Sequence, residues 1–170
     1  PGAWDRTVTI SSGGKTFSTT GWKVGWMSGP NGLLQVILTV KQFLTYVNAA
    51  PFQPAIAVGL GLPDEFFRGV ASVLQQKRDL LSAGLSRAGF AVSESQGSYF
   101  IVADARPLGF DDAADLCRRL PELTGVVAVP ISAFVTDENK NEYASLVRFA
   151  FCKKVDVLER ASAQLAGLAR

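Results

Sequence analysis

The spacing of apolar residues in the first third of the chain predicts two strands followed by a helix. Residues 6–10 form a short segment rich in β-branched side chains, which favours a strand. The next four residues, Ser-Ser-Gly-Gly, favour a loop. Residues 22–27 alternate large apolar side chains with small or polar ones, which predicts a second strand of the same sheet. From residue 31 to 47 the apolar side chains recur at helical spacing, so we expect an amphipathic helix packed on that sheet.

The pattern of the remaining chain predicts a long helix and then alternating strands and helices. Prolines at 51 and 54 end the first helix, residues 55–60 favour a short buried helix, and a long helix starts at residues 63–65. Beyond Gly89 the predicted strands are 90–93, 99–103, 126–129 and 146–151, and the predicted helices begin at 111 and 155. We therefore expect an α/β protein with two domains, residues 1–63 and a compact α+β domain of residues 64–170.

Composition narrows the class of protein. Of 170 residues, 48% are hydrophobic and 19% are charged, as in globular domains. The net charge is +2 and no basic run stands out, so no nucleic-acid partner is expected. The best apolar run, residues 32–40, is far shorter than the roughly 18 residues of a membrane span, so no membrane partner is expected either.

The chain contains no histidine, which excludes His-based catalytic triads and His-ligated metal sites, and no metal site is predicted. It has two cysteines, Cys117 and Cys152, without CxxC spacing. We interpret them as buried free thiols of a cytoplasmic protein, with a disulfide between them as the alternative.

Lys15 is the candidate catalytic residue, because it follows a small, hydroxyl-rich turn directly after a predicted strand. A lysine amine can form a Schiff base with a carbonyl when its surroundings favour the neutral form. Gly14-Lys15-Thr16 also matches the end of a nucleotide-binding P-loop, but the glycine required five positions before Gly14 is Thr9 here. The remaining alternative is a solvated loop lysine.

The whole run from Ser11 to Trp26, SSGGKTFSTTGWKVGW, resembles the cofactor-lysine motif of class I aminotransferases, which use pyridoxal 5′-phosphate (PLP). The resemblance implies that Lys15 forms the Schiff base with PLP and later carries a proton. It also implies that Ser12 and Lys23 hold the cofactor phosphate. Many relatives have arginine at the position of Lys23; lysine is found in the branch with kynurenine aminotransferases. Tyr46 matches a residue that reaches into the substrate pocket of the partner subunit.

Arg148 is the second candidate site residue. It lies within the otherwise apolar run Val147-Arg148-Phe149-Ala150-Phe151. Burying an arginine inside an apolar strand costs free energy unless its charge meets an anion. That anion could be one of the acids of this chain. The resemblance instead implies that Arg148 binds the substrate α-carboxylate. Residues 96–100, Gln-Gly-Ser-Tyr-Phe, also resemble a strand of the small domain of these enzymes.

The resemblance covers only the later part of the polypeptide of family members. This part comprises the end of the large domain, with its mixed and mostly parallel sheet, and the α+β small domain. It is nearest to kynurenine aminotransferase-like and N-succinyldiaminopimelate aminotransferases. It implies amino-group transfer from an L-amino acid to a 2-oxo acid, in a homodimer that completes the site across its interface. In family members, several cofactor contacts come from the first half of the polypeptide. The 170 residues alone are therefore expected to be inactive. The alternatives are a cysteine-conjugate β-lyase and a catalytically silent fragment or regulatory module.

Overall fold

The computed structural model describes residues 2–169, which divide between Arg68 and Gly69 into unit 1 (2–68) and unit 2 (69–169). The helices are α1 Gly13–Thr16, α2 Asn31–Leu44, α3 Gln53–Leu60, α4 Asp64–Arg87, α5 Ala113–Thr124 and α6 Val155–Leu165. The strands are β1 Thr9–Ser12, β2 Gly25–Ser28, β3 Ala91–Val92, β4 Phe100–Asp104, β5 Val129–Pro130 and β6 Leu146–Ala150. The α/β class is confirmed; a domain boundary at residues 63 and 64 stays a prediction.

Unit 1 contains an antiparallel pair of strands, β1 and β2, in which Ser12 lies opposite Gly25. The parallel strands of the predicted mixed sheet are not among the described residues. The predicted strand at 6–10 starts too early, because Trp4–Arg6 forms a 3₁₀ turn closed by the Thr7 N–H on the Trp4 carbonyl. The predicted strand at 22–27 also starts too early, since Lys23 has a left-handed backbone (φ 55°) that no strand accepts.

Helix α2 begins at Asn31 as predicted and ends at Leu44, just before Tyr46 takes a left-handed conformation (φ 53°). The prediction that α2 packs on the sheet is wrong for the described residues, because none of its side chains is buried. Phe43, for example, is 84% exposed. In α3 only Ile56 is buried, so the short buried helix expected there is mostly exposed.

Unit 2 is built on a four-stranded antiparallel sheet in the order β3-β4-β6-β5. Successive residues of β4 and β6 alternate between full and partial burial, so one face of the sheet is the core face. Helices α4, α5 and α6 cover that face, and the fully buried side chains that result are Leu85, Ile101, Leu116, Leu120, Val147, Phe151 and Leu165. The predicted α+β domain is confirmed in this architecture.

Helix α5 begins as predicted, with the Asp112 carboxylate accepting hydrogen bonds from the N–H groups of Ala114 and Asp115. It continues past Pro121 to Thr124, and Gly125 ends it in a left-handed conformation (φ 72°) with its N–H on the Pro121 carbonyl. The strand expected at 126–129 is therefore reduced to β5.

Cys152 is exposed rather than buried as predicted, whereas Cys117 is half-buried; both are free thiols. Of the helices in residues 2–169, none combines the length and the hydropathy that crossing a bilayer requires.

Candidate cofactor and carboxylate sites

Lys15 lies in the single helical turn α1, which starts directly at the end of β1. Ser12, the last residue of β1, caps this turn because its Oγ accepts a hydrogen bond of 3.3 Å from the Gly14 N–H. The Gly13 N–H donates to the Val24 carbonyl at 3.1 Å, which ties the turn to the start of β2. The backbone of Lys15 is thus held by both strands of the hairpin.

The two glycines before Lys15 are buried, and a side chain in their place would be crowded. A Cβ atom on Gly13 would lie 2.7 Å from Cδ1 of Ile56, and one on Gly14 would lie 3.2 Å from Cα of Thr20. The hydroxyl of Thr20 also donates to the Gly14 carbonyl at 3.2 Å. Close packing around the turn therefore favours the Gly-Gly pair, which the sequence motif alone did not explain.

Of the three residues predicted to hold the cofactor, Ser12 ends β1, and Lys15 and Lys23 lie in the connection from β1 to β2. The side chains of Ser12, Lys15 and Lys23 are all exposed. The Lys23 carbonyl accepts a 2.8 Å hydrogen bond from Asn48 Nδ2, which holds its left-handed backbone in place. Within residues 2–68 neither Lys15 nor Lys23 forms an ion pair.

This donor set fits PLP. Lys15 offers a primary amine for the aldehyde, and the Ser12 Oγ accepts from Gly14 while keeping its own O–H free to donate. Lys23 adds a positive charge for a phosphate. These groups supply part of what a phosphate-bearing aldehyde needs.

Tyr46 lies beyond the end of α2, with its side chain 73% exposed. Its N–H donates to the Lys41 carbonyl at 3.1 Å. A groove of about 370 Å³ in unit 1 is lined by Tyr46 together with Trp26, Lys41 and Asn48, among others. The side chain that was expected to reach a partner subunit is thus available on the surface of unit 1.

Arg148 lies on β6, between β4 and β5, and faces away from the core. It is opposite Val102 on one side and Val129 on the other. Its neighbours Val147 and Phe149 point into the core. Two paired strands therefore fix the backbone from which the guanidinium projects.

The guanidinium of Arg148 is flanked by two aromatic rings that the sequence reasoning missed. Its Cζ lies 4.1 Å from the ring centroid of Phe100 and 4.2 Å from that of Phe134. Phe100 is a diagonal neighbour across the β4–β6 pair, which a correct strand register would have indicated. Phe134 ends a 3₁₀ turn, Ile131–Phe134, and carries no sequence signal for this contact.

Arg148 makes no ion pair within residues 69–169. Its Nε is buried without a hydrogen-bond partner among those residues. The alternative of a structural salt bridge to an acid of unit 2 is therefore wrong. What remains is a half-buried cation, with its Nε enclosed, that is suited to an anion from outside unit 2.

A strand-ended turn that carries Lys15 and an α+β unit that carries Arg148 are what the resemblance to class I aminotransferases predicted. The chain belongs to the family of aminotransferases of class I and II, whose family model matches residues 2–165.

Similar proteins with assigned names are also aminotransferases. The chain is 45% identical to a probable N-succinyldiaminopimelate aminotransferase of Mycobacterium tuberculosis, over 99% of this chain and 44% of that protein. It is 36% identical to a kynurenine–oxoglutarate transaminase of Dictyostelium discoideum, over 95% of this chain and 41% of that protein. The solved structure of the M. tuberculosis N-succinyldiaminopimelate aminotransferase matches with a TM-score of 0.92 and 47% identity, over 99% of this chain and 43% of that one. The chain thus spans less than half the length of these relatives.

Proposed function

We propose that this chain is the C-terminal part of a PLP-dependent aminotransferase, which transfers an amino group from an L-amino acid to a 2-oxo acid. The family match over residues 2–165 and relatives that are named as aminotransferases support this reaction over β-lysis. Residues 1–63 would complete the large, PLP-binding domain, and residues 64–170 would form the small domain. Because relatives are more than twice as long, the other cofactor contacts would come from the rest of the polypeptide.

In this proposal Lys15 is the catalytic residue. When bound, PLP supplies the electrophilic carbon and the electron sink that amino-group transfer needs. Lys15 would attach the cofactor through Nζ and would afterwards hold and return the substrate proton at that atom. The buried glycines before it support this role, because they fix the backbone from which the side chain extends.

Ser12 and Lys23 would hold the cofactor phosphate. The Ser12 hydroxyl would donate to a phosphate oxygen while its Oγ still caps α1. Lys23 would act as a point charge, without the two-pronged hydrogen bonding of an arginine. Both residues flank the turn of Lys15 in the same hairpin connection, which supports a shared ligand.

The observation that carries the proposal is the unpaired guanidinium of Arg148. A cation in a half-buried position, with one N–H enclosed and no acid nearby in unit 2, favours binding of an external anion. The α-carboxylate is the anion that every amino-acid and 2-oxo-acid substrate shares. Arg148 would therefore orient both substrates through the same group.

The active form would be a homodimer in the cytoplasm. Tyr46, exposed on unit 1, would enter the substrate pocket of the partner subunit and contact the substrate side chain. The exposed apolar side chains of α2, including Phe43 and Leu44, are consistent with further burial in the assembled enzyme.

The test is chemical trapping in the full-length protein that carries these residues. The protein is incubated with PLP, reduced with borohydride and digested, and the peptides are analysed by mass spectrometry. We expect a pyridoxyl group on Lys15, and none in a Lys15→Ala variant. A Lys77→Ala variant, which removes a half-buried lysine of α4, serves as the matched control. An unmodified Lys15 would overturn the catalytic assignment in favour of a silent module.

A further inference from the structure

The aromatic stack around Arg148 leaves only part of the guanidinium accessible. Phe100 lies on β4 and Phe134 follows β5, on the two sides of β6, and both ring centroids lie about 4 Å from Cζ of Arg148, so the two rings flank the guanidinium from opposite sides. The Nε side is enclosed by protein. The end that carries the two Nη nitrogens is the part that remains open to a ligand.

The backbone that carries each ring is held by neighbouring structure, although the Phe134 side chain itself is 57% exposed. The carbonyl of Phe100 accepts a 2.8 Å hydrogen bond from the Ser95 hydroxyl, and Phe100 pairs with Ala150 across the sheet. Phe134 ends the 3₁₀ turn that directly follows β5, where Pro130 pairs with Val147. The plane of the guanidinium is therefore set by elements on both sides of β6.

We propose that Phe100 and Phe134 are positioning residues that confine Arg148 to end-on, in-plane binding and so make it selective for a flat carboxylate. A carboxylate places both oxygens in the plane of the two Nη–H groups. A sulfonate or phosphonate places a third oxygen outside that plane, on a side that a ring covers. The inference rests on the proposed function of Arg148 as the carboxylate-binding residue.

The experiment compares propanoate with ethanesulfonate, which share a charge and an ethyl group and differ in the geometry of the anion. Their inhibition constants against the amino-acid substrate are measured with the full-length enzyme, and their dissociation constants by calorimetry, which requires no turnover. For Phe134→Leu we expect propanoate binding to weaken about fivefold while ethanesulfonate changes less than about twofold. KM for the amino acid rises in parallel and kcat stays nearly constant, as expected when ground-state and transition-state binding fall together.

Three controls separate positioning from general damage. Phe134→Tyr keeps the ring and should retain the selectivity for propanoate. Phe110→Leu removes a ring near a different arginine of unit 2, Arg119, and should leave both constants unchanged. Phe100→Leu removes the other ring of the stack and should repeat the effect of Phe134→Leu.

Failure of this inference is distinct from failure of the proposed function. If Arg148→Ala leaves propanoate binding unchanged, Arg148 does not bind the carboxylate and both are wrong. If Arg148→Ala weakens propanoate binding but neither leucine variant changes the ratio of the two anions, only the role of the rings is overturned.

Discussion

Gly84 of α4 packs directly against Ser162 of α6, so closely that a Cβ atom on Gly84 would lie 2.5 Å from Cβ of Ser162. The Ser162 hydroxyl at this contact is buried and has no hydrogen-bond partner among residues 69–169. The absence of a side chain at Gly84 thus determines how closely the two helices approach in unit 2.

We predict that Gly84→Ala destabilises the protein, even though alanine favours a helix over glycine. Forcing a methyl group into this contact should lower the free energy of unfolding by about 1–3 kcal/mol, since the α6 backbone has to move. Urea denaturation of unit 2, followed by circular dichroism, measures the change.

The matched control for this substitution is Gly69→Ala on the same helix, where an added methyl group would meet no described atom within 4 Å apart from its chain neighbours and the backbone of its own helix. It should stabilise the helix by up to about 1 kcal/mol. Adding Ser162→Gly to Gly84→Ala should restore part of the lost stability by making room. If Gly84→Ala behaves like Gly69→Ala, the close approach of α4 and α6 is not a constraint.

The predictions that succeeded rest on signals within a continuous segment. Helix α2 was located by its apolar spacing, and α5 by Asp112, whose carboxylate caps the first turn. The turn that contains Lys15 follows a strand, as the motif indicated, and Ser12 caps it; the roles of Lys15 and Ser12 toward a cofactor stay predictions. Local chemistry determined these features, and the sequence was sufficient for them.

The features that were missed depend on the surroundings of a segment. Whether residues 6–8 pair in a strand or form a turn depends on where the partner strand begins, and this shifted β1 toward Ser12. Burial of α2 was predicted from its apolar residues, although the described residues offer no surface to cover them. The contact of Phe134 with Arg148 joins a turn to a strand fourteen residues later, which no local pattern encodes.

The carboxylate of Asp104 should make stability depend on pH. Arg106 donates from Nε to Oδ2 of Asp104 at 2.8 Å, and this hydrogen bond lowers the pKa of Asp104 from 3.8 to about 2. A lowered pKa stabilises the fold above pH 4, and that stabilisation is lost as the pH falls from about 4 to about 2. Asp104→Asn should therefore cost about 1–2 kcal/mol at pH 7 and almost nothing near pH 2.

Denaturation at several pH values checks this prediction for Asp104. Asp137, which pairs with Lys140 in an exposed loop, provides the control, because an exposed ion pair contributes little in water. Asp137→Asn should leave the unfolding free energy nearly unchanged throughout. An equal cost of Asp104→Asn at pH 7 and pH 2 would contradict an electrostatic origin.

The two cysteines should differ in reactivity. Burial raises the pKa of the Cys117 thiol to about 11, so its thiolate fraction at pH 8 is roughly a hundredfold below that of an ordinary thiol. Cys152 is exposed. Labelling of the native protein with a maleimide, read by mass spectrometry, should modify Cys152 first, and Cys117 should react at a comparable rate only in denaturant. Simultaneous labelling in the native state would show that α5 opens locally.

Ser12 has a structural and a proposed binding role, and substitutions can separate the two. Ser12→Ala removes both the cap on Gly14 and the hydroxyl that would donate to the PLP phosphate. Ser12→Asp retains a cap acceptor but places a negative charge beside the phosphate. Ser12→Thr retains both functions. We therefore expect PLP affinity to decrease in the order Ser and Thr, then Ala, then Asp.

Equilibrium dialysis of PLP against the full-length protein measures this order, with a loss of about tenfold for Ser12→Ala, the usual scale for a hydrogen bond to a charged group. Ser11→Ala, one residue earlier on β1 and also exposed, should bind PLP like the wild type. If Ser12→Asp binds as tightly as wild type, Ser12 acts only as the cap of α1. If Ser12→Asp binds less tightly than Ser12→Ala, repulsion of an anion is the remaining cause, because Asp preserves the cap that Ala removes. That order would place the cofactor phosphate at the amino end of the turn that carries Lys15.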